Sequence, residues 1–209
     1  FTLCHPDGES DVFLPLLGRF NVQNALAALA SLWHDVTDKD TLITGLSMLR
    51  GAPGRMDKVQ LSEAPLVVVD YAHTPDALKV ALQALKEHSH GRLICVFGCG
   101  GDRDRGKRPL MMEAAMQYAD YVWLTSDNPR TESIDEIFSD VLSETKSGDS
   151  YSFEPDRRKA IRYAVASASV NDVILIAGKG HESYQDIQGV KHHFDDKEEA
   201  LKAVEAYVD

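Results

Sequence analysis

Val173-Ile174-Leu175-Ile176-Ala177, followed at once by Gly178-Lys179-Gly180-His181-Glu182, decides the fold of this 209-residue chain. A strand with no polar face must be covered on both sides. That is the condition of a parallel sheet sandwiched between helices. Working outward, the same design recurs. Leu66 to Val69 is a short β-branched run ending at Asp70, and Arg92 to Phe97, Tyr121 to Thr125 and the shorter Tyr151 to Phe153 are further strands. Between them Asp76–Lys86 is amphipathic, and Pro109–Tyr118, Ile134–Leu142 and Arg157–Ala168 are expected helices. A last strand around His192 to Phe194 and a helix from Asp196 to Tyr207 would close the sheet. The expected fold is α/β, doubly wound and mainly parallel.

The first fifty residues read differently. Phe1 to Leu17 alternates loosely about a turn at Pro6-Asp7-Gly8 and predicts two short strands. Asn21 is placed to cap a helix running to about His34, and a second helix is expected from about Asp38 to Leu49. Gly51-Ala52-Pro53-Gly54 then breaks the pattern, so residues 1–52 are expected to be a separate small piece and 53–209 the α/β domain. The chain begins with Phe in what reads as the middle of a hairpin, which predicts a fragment of something longer.

Composition narrows the function classes. The chain is 44% hydrophobic and 26% charged, as expected of a globular protein, and its net charge of −11 argues against a nucleic-acid or anionic-membrane surface. Three cysteines, Cys4, Cys95 and Cys99, fit reduced thiols in a cytoplasmic protein better than a disulfide framework. No second well-spaced pair accompanies Cys95 and Cys99, so no metal site is expected. No apolar run reaches the length of a membrane span.

In open α/β sheets ligands bind off the carboxyl ends of the strands. Three such ends carry pointed chemistry. Asp127-Asn128-Pro129-Arg130 follows the strand at 121–125 and combines a carboxylate, an amide, a proline that holds Asn128 extended, and a guanidinium fork. The plainer reading is a polar turn in which Asp127 or Asn128 caps the helix starting near Ser133. Gly178-Lys179-Gly180-His181-Glu182 lets the backbone approach a ligand while Glu182 can receive an ammonium. Asp70-Tyr71-Ala72-His73-Thr74-Pro75 offers a carboxylate where ribose hydroxyls are often bound, although His73 could equally cap or pack.

The stretch from Gly98 to Arg108 is a decoy. From Gly101 it spells G-x-x-x-x-G-K, but Arg108 stands where Ser or Thr should bind magnesium, and Asp102 and Asp104 would repel phosphate. It also lacks the G-x-G-x-x-G of a dinucleotide fingerprint. What remains is a glycine turn presenting Arg103, Arg105, Lys107 and Arg108, either to a ligand or to solvent. Together the strand ends supply two arginines for carboxylates and at least two acids for amines, which describes an amino-acid site.

These motifs resemble the carboxyl-terminal part of the Mur ligases. Gly18-Arg19-Phe20-Asn21-Val22-Gln23-Asn24, Gly54-Arg55-Met56, the Asp70–Pro75 run, Asp127–Arg130 and Gly178–Glu182 occur in family order across nearly the whole chain. Within that family the chain looks most like the members that add meso-diaminopimelate to UDP-N-acetylmuramoyl-L-alanyl-D-glutamate. The resemblance implies an ATP- and Mg2+-dependent ligase of peptidoglycan synthesis working through an acyl phosphate, with the chain as its amino-acid-binding Rossmann-like domain preceded by the tail of the central ATPase domain. It also implies a monomer, inactive on its own, because the phosphate loop and most magnesium ligands would lie outside it. Carried over by position, Arg103, the Asp127-Asn128-Pro129-Arg130 turn, Gly178 and Glu182 would bind diaminopimelate, while Asn24, Arg55, Asp70 and His73 would lie near ATP; no catalytic proton donor is implied. The competing readings are a non-catalytic amino-acid-binding module and a Rossmann-type nucleotide-dependent oxidoreductase.

Overall fold

The computed structural model describes residues 1–36, 38–145 and 150–208. The chain divides into two compact units, Phe1–Ala52 and Pro53–Asp209.

In the first unit β1 (Thr2–His5) and β2 (Gly8–Asp11) form an antiparallel hairpin, followed by α1 (Arg19–Leu32) and α2 (Lys39–Gly45). Leu3, Val12, Ala25, Leu29, Ile43 and Leu46 form its small core. The expected cap at Asn21 is wrong. Helix α1 starts three residues earlier behind Gly18, whose φ of 88° suits glycine, and the Asn21 amide instead donates to the Leu17 carbonyl at 2.7 Å. Asp38 does cap α2, accepting the Thr41 N–H, and the second helix ends early, its last turn tightening to a 3-10 turn at Leu46–Met48.

The second unit is a six-stranded sheet. Its elements are β3 (Asp57–Val59), β4 (Leu66–Asp70), α3 (Pro75–Lys86), β5 (Leu93–Cys99), α4 (Lys107–Tyr118), β6 (Tyr121–Ser126), α5 (Ile134–Val141), β7 (Tyr151–Glu154), α6 (Arg157–Ala166), β8 (Val173–Ala177), β9 (Tyr184–Ile187), β10 (Val190–His193) and α7 (Asp196–Val208). The strand order is β3-β4-β8-β5-β6-β7; every pairing is parallel except that of β3 with β4. The doubly wound expectation holds. All five residues of β8 and all seven of β5 are buried, as central parallel strands require. Alternation along the strands sends Val67, Val69, Ile94, Val96, Ile174 and Ile176 to the face covered by α6 and α7. The opposite face carries α3, α4 and α5, with Leu78, Leu82, Leu85, Met111 and Ile137 buried.

At the margins one strand was not predicted and one was misplaced. The short antiparallel edge strand β3 is too brief and too polar to show a period. The segment near His192 does not join the sheet. It is half of the separate β9–β10 hairpin, whose outer strand is exposed throughout and so carries no apolar signal. Its turn, Gln188-Gly189, has positive φ at both residues (53° and 76°), the geometry that matches the twist of a tight hairpin.

Candidate functional site

A cleft of about 400 Å³ opens at the carboxyl ends of the parallel strands. Tyr71 and His73 follow the end of β4; Gly98, Cys99, Gly100 and Arg103 come from β5 and its loop, and Lys107 from the start of α4; Asp127, Asn128 and Arg130 follow β6; Gly178 and Glu182 follow β8; and Tyr184 comes from β9. Strand β8 passes between β4 and β5, so the chain's winding reverses beside it and leaves the ends of neighbouring strands free to flank a ligand.

Two buried charges hold these strand ends in place. Arg157, fully buried at the start of α6, donates to Asp196 at 2.8 Å through both Nε and Nη2, and also to the carbonyls of Ser126 and Ala177 at 3.3 and 2.9 Å. Those carbonyls end β6 and β8, immediately before Asp127 and Gly178. Lys179 is also fully enclosed. Its ammonium donates to the Asn128 amide oxygen at 3.0 Å, lies 3.4 Å from Glu182 and 3.9 Å from Asp127. Because Lys179 and the Asp186 N–H both donate to Asn128 Oδ1, the amide nitrogen is turned to Glu182, to which it donates at 2.9 Å. The sequence reading missed Lys179; a lysine between two glycines at the end of an apolar strand was the available sign.

Glycine is required where the loops meet. Gly178 has φ of 117°, and a methyl group on it would stand 2.7 Å from the Asp127 carboxylate. A Cβ at Gly101 would collide with the Pro129 carbonyl. Here the 98–108 loop and the turn after β6 lie one on the other: Gly101 N–H donates to Asn128 O at 2.9 Å, and Arg130 Nη1 donates to Gly101 O at 2.7 Å. Arg130 has φ of 51°, and its backbone is held by hydrogen bonds to Asp186 and Gln188 of the β9–β10 hairpin.

Arg103, Asp127, Asn128, Arg130, Gly178 and Glu182 share the cleft with His73. Pro129 is buried behind it, facing a smaller cavity beside Ser133 and Ile187. Arg55 stacks on the Tyr71 ring at 4.8 Å, and the rings of His73 and His181 approach the same tyrosine at 4.6 and 5.5 Å. Asp70 is largely buried. It accepts the Met56 and Ala72 N–H groups at 2.9 and 2.8 Å, and burial outweighs these bonds and Arg55 in raising its carboxyl above the ordinary value. Asn24 belongs to the first unit, exposed on α1, with its amide on Asn21.

The capping alternative for the Asp127 turn does not hold. Ser133 occupies the cap of α5, and neither Asp127 nor Asn128 bonds to that helix's first turn. The solvated reading of the glycine loop fails in part: Arg108 is fully buried, while Arg103 and Lys107 line the cleft. Cys95 and Cys99 are buried too, and burial pushes each thiol up to about 12. Among the described residues no group of three His, Cys, Asp or Glu side chains could hold a metal ion.

A parallel α/β sheet with a charged cleft of both signs at its carboxyl edge defines a domain built to receive a small polar ligand. Residues 54–180 match the family model described as Mur ligase, glutamate ligase domain. The chain belongs to the Mur ligase family. It is 50% identical over 206 residues to the UDP-N-acetylmuramoyl-L-alanyl-D-glutamate--2,6-diaminopimelate ligase of Pseudomonas putida, covering 99% of this chain and 42% of that protein. The enzyme of the same name from Neisseria meningitidis serogroup A is 54% identical over 195 residues, 92% of this chain and 39% of that one. A solved structure of such a ligase superposes with a TM-score of 0.79 at 48% identity, over 100% of this chain and 43% of that one. A folylpolyglutamate synthase of Mycobacterium tuberculosis, with ADP and AMPPCP bound, gives 0.62 at 26% identity over 82% and 40%. The chain therefore spans about two fifths of the length of the relatives it matches. Family membership displaces the oxidoreductase reading.

Proposed function

We propose that this chain is the amino-acid-receiving part of an ATP-dependent ligase that joins meso-diaminopimelate to UDP-N-acetylmuramoyl-L-alanyl-D-glutamate in cytoplasmic peptidoglycan precursor synthesis. The carrying observation is the charge layout of the cleft, where Arg130 and Arg103 lie with Asp127, Glu182 and the oriented Asn128. Meso-diaminopimelate has an ammonium and a carboxylate at each end. Lysine has only an ammonium at one of them. Arg130 would take the additional carboxylate, and Asp127 with Glu182 the neighbouring ammonium. Lysine would leave the guanidinium unmatched, a penalty on the order of a few kcal/mol where water is excluded.

In the reaction, transfer of the γ-phosphoryl group of ATP to the D-glutamyl carboxylate gives an acyl phosphate. The free amine of the bound diaminopimelate attacks the acyl carbon, a tetrahedral intermediate collapses, and phosphate leaves with formation of the amide. The part of this chain is to hold and aim the amine. We assign residues 1–52 to the tail of the nucleotide-handling domain. Arg55, stacked on Tyr71, and His73 form a cation and aromatic group suited to a nucleotide's phosphates and ribose, and Asp70 would shape that loop through its two backbone bonds. Most of the magnesium ligands would lie outside this chain, and the working enzyme would be a monomer.

Calorimetry tests the binding step. Meso-diaminopimelate should bind at least about tenfold more tightly than L-lysine, and Arg130→Ala should remove that preference. Equal affinities in the unaltered chain would refute the reading. The complete gene product should form the amide only when ATP is present.

A further inference from the structure

Arg108, which the sequence places where a phosphate loop would have Ser or Thr, is used by neither the cleft nor the nucleotide group, yet its guanidinium is fully buried. It stands in the first turn of α4. Its Nη2 donates to Glu132 at 2.9 Å and to the Gly100 carbonyl at 3.1 Å, and Nη1 to Asp140 at 2.7 Å. Glu132 follows Arg130 by two residues and also accepts the Asp102 N–H. From the other loop the Asp102 carboxylate accepts the Thr131 N–H at 3.1 Å and the Thr131 hydroxyl at 2.9 Å. The loop after β5 and the turn after β6 are therefore sewn together on both sides of Arg130.

We propose that the Arg108–Glu132 pair is a positioning element that aims Arg130, and that it thereby sets the preference for a ligand with a second carboxylate. This rests on the amino-acid reading above. Arg130 holds a left-handed backbone that L side chains rarely adopt, so neighbours must keep it there. Its Nη1 is tied to Gly101 O, and where that carbonyl sits depends on Gly100, which Arg108 anchors, and on Asp102, which Glu132 anchors. A guanidinium held by one nitrogen keeps its remaining donors for a ligand carboxylate in a fixed plane. If Arg108 is lost, Glu132 and Asp140 face each other with less cationic charge between them, and the two loops separate. A lysine at 108 keeps the charge but loses the fork that reaches three acceptors at once.

The test uses Glu132→Gln and Arg108→Lys in the full chain, with unaltered circular dichroism as the folding control. Two readouts are taken: affinities for meso-diaminopimelate and L-lysine, and the side-chain Nε–H resonance of Arg130 in ligand-free protein. Each variant should bind meso-diaminopimelate at least about tenfold more weakly, change L-lysine binding by less than about threefold, and shift or broaden the Arg130 resonance. A preference ratio that stays constant in both variants overturns the proposal, because general loosening would weaken both ligands alike. If the unaltered chain has no preference, the amino-acid reading fails by itself. The Arg130 resonance then decides the positioning role: a moved signal sustains it and an unmoved one ends it.

Discussion

Arg130, Arg108 and Lys179 show how little the identity of a charged residue says about its surroundings. All three sit in glycine-rich or turn sequences that read alike, yet Arg130 lines the cleft, Arg108 is fully buried in an ion network, and Lys179 is enclosed beneath two acids and an amide. Sequence singled out Arg130 because a proline-constrained turn at a strand end presents its side chain. It could not separate the other two, because burial of a charge depends on acceptors that arrive from distant segments, such as Asp140 for Arg108. Cys4 is exposed, whereas Cys99 borders the cleft but is only 3% exposed, and burial pushes its thiol, like that of Cys95, up to about 12. A thiolate is the reacting species. Alkylation of the folded protein at neutral pH should therefore modify one cysteine, Cys4, by mass spectrometry of peptides. Labelling of Cys99 at a comparable rate would mean that the cleft opens far more than this packing allows.

Strands and helices were legible because each carries a local signal: the buried central strands are short, continuously apolar β-branched runs, and Pro75–Lys86 keeps one apolar stripe. The elements missed or misplaced, β3 and the β9–β10 hairpin, are short or exposed and keep no such pattern. The loops between elements are governed by charge. Asp102 is held below the ordinary carboxylate range by the Thr131 backbone and hydroxyl bonds, Glu132 by its bond from Arg108, and Asp140 by its bond from Arg105. A carboxyl with a lowered folded value stabilises the paired loops above its ordinary value, and that contribution disappears as pH falls through the folded value. The pairing of the two loops should thus be intact at pH 5. In an NMR titration the Asp102 and Thr131 amide signals should hold steady from pH 7 to 5 and move only below the ordinary aspartate value of 3.8. A midpoint above 3.8 would contradict the pairing. The Arg157–Asp196 pair, tied to the ends of β6 and β8, acts at the same scale; loss of one partner of such a buried pair typically costs ~3–5 kcal/mol.

For the whole molecule, the division at Ala52 and Pro53 leaves the cleft entirely on one side. Every residue assigned to the diamino acid lies in Pro53–Asp209, a unit with its own two-faced core. Residues 53–209 expressed alone should fold and bind meso-diaminopimelate within about threefold of the full chain, read by calorimetry. Loss of binding with retained folding would show that the first unit contributes to the amino-acid site. From sequence alone came the parallel α/β sheet and the boundary near Pro53, which depend on local periodicity and on glycine and proline, and the family resemblance supplied seven residues expected to bind the amino acid, six of which line the cleft. Only the tertiary structure decided that Asp70 spends its carboxylate on the Met56 and Ala72 amides, that Pro129 packs behind the cleft, and that Arg108 and Lys179 are buried. Those outcomes depend on hydrogen-bond acceptors and charges from segments far apart in the chain, and no local pattern encodes which of them will meet.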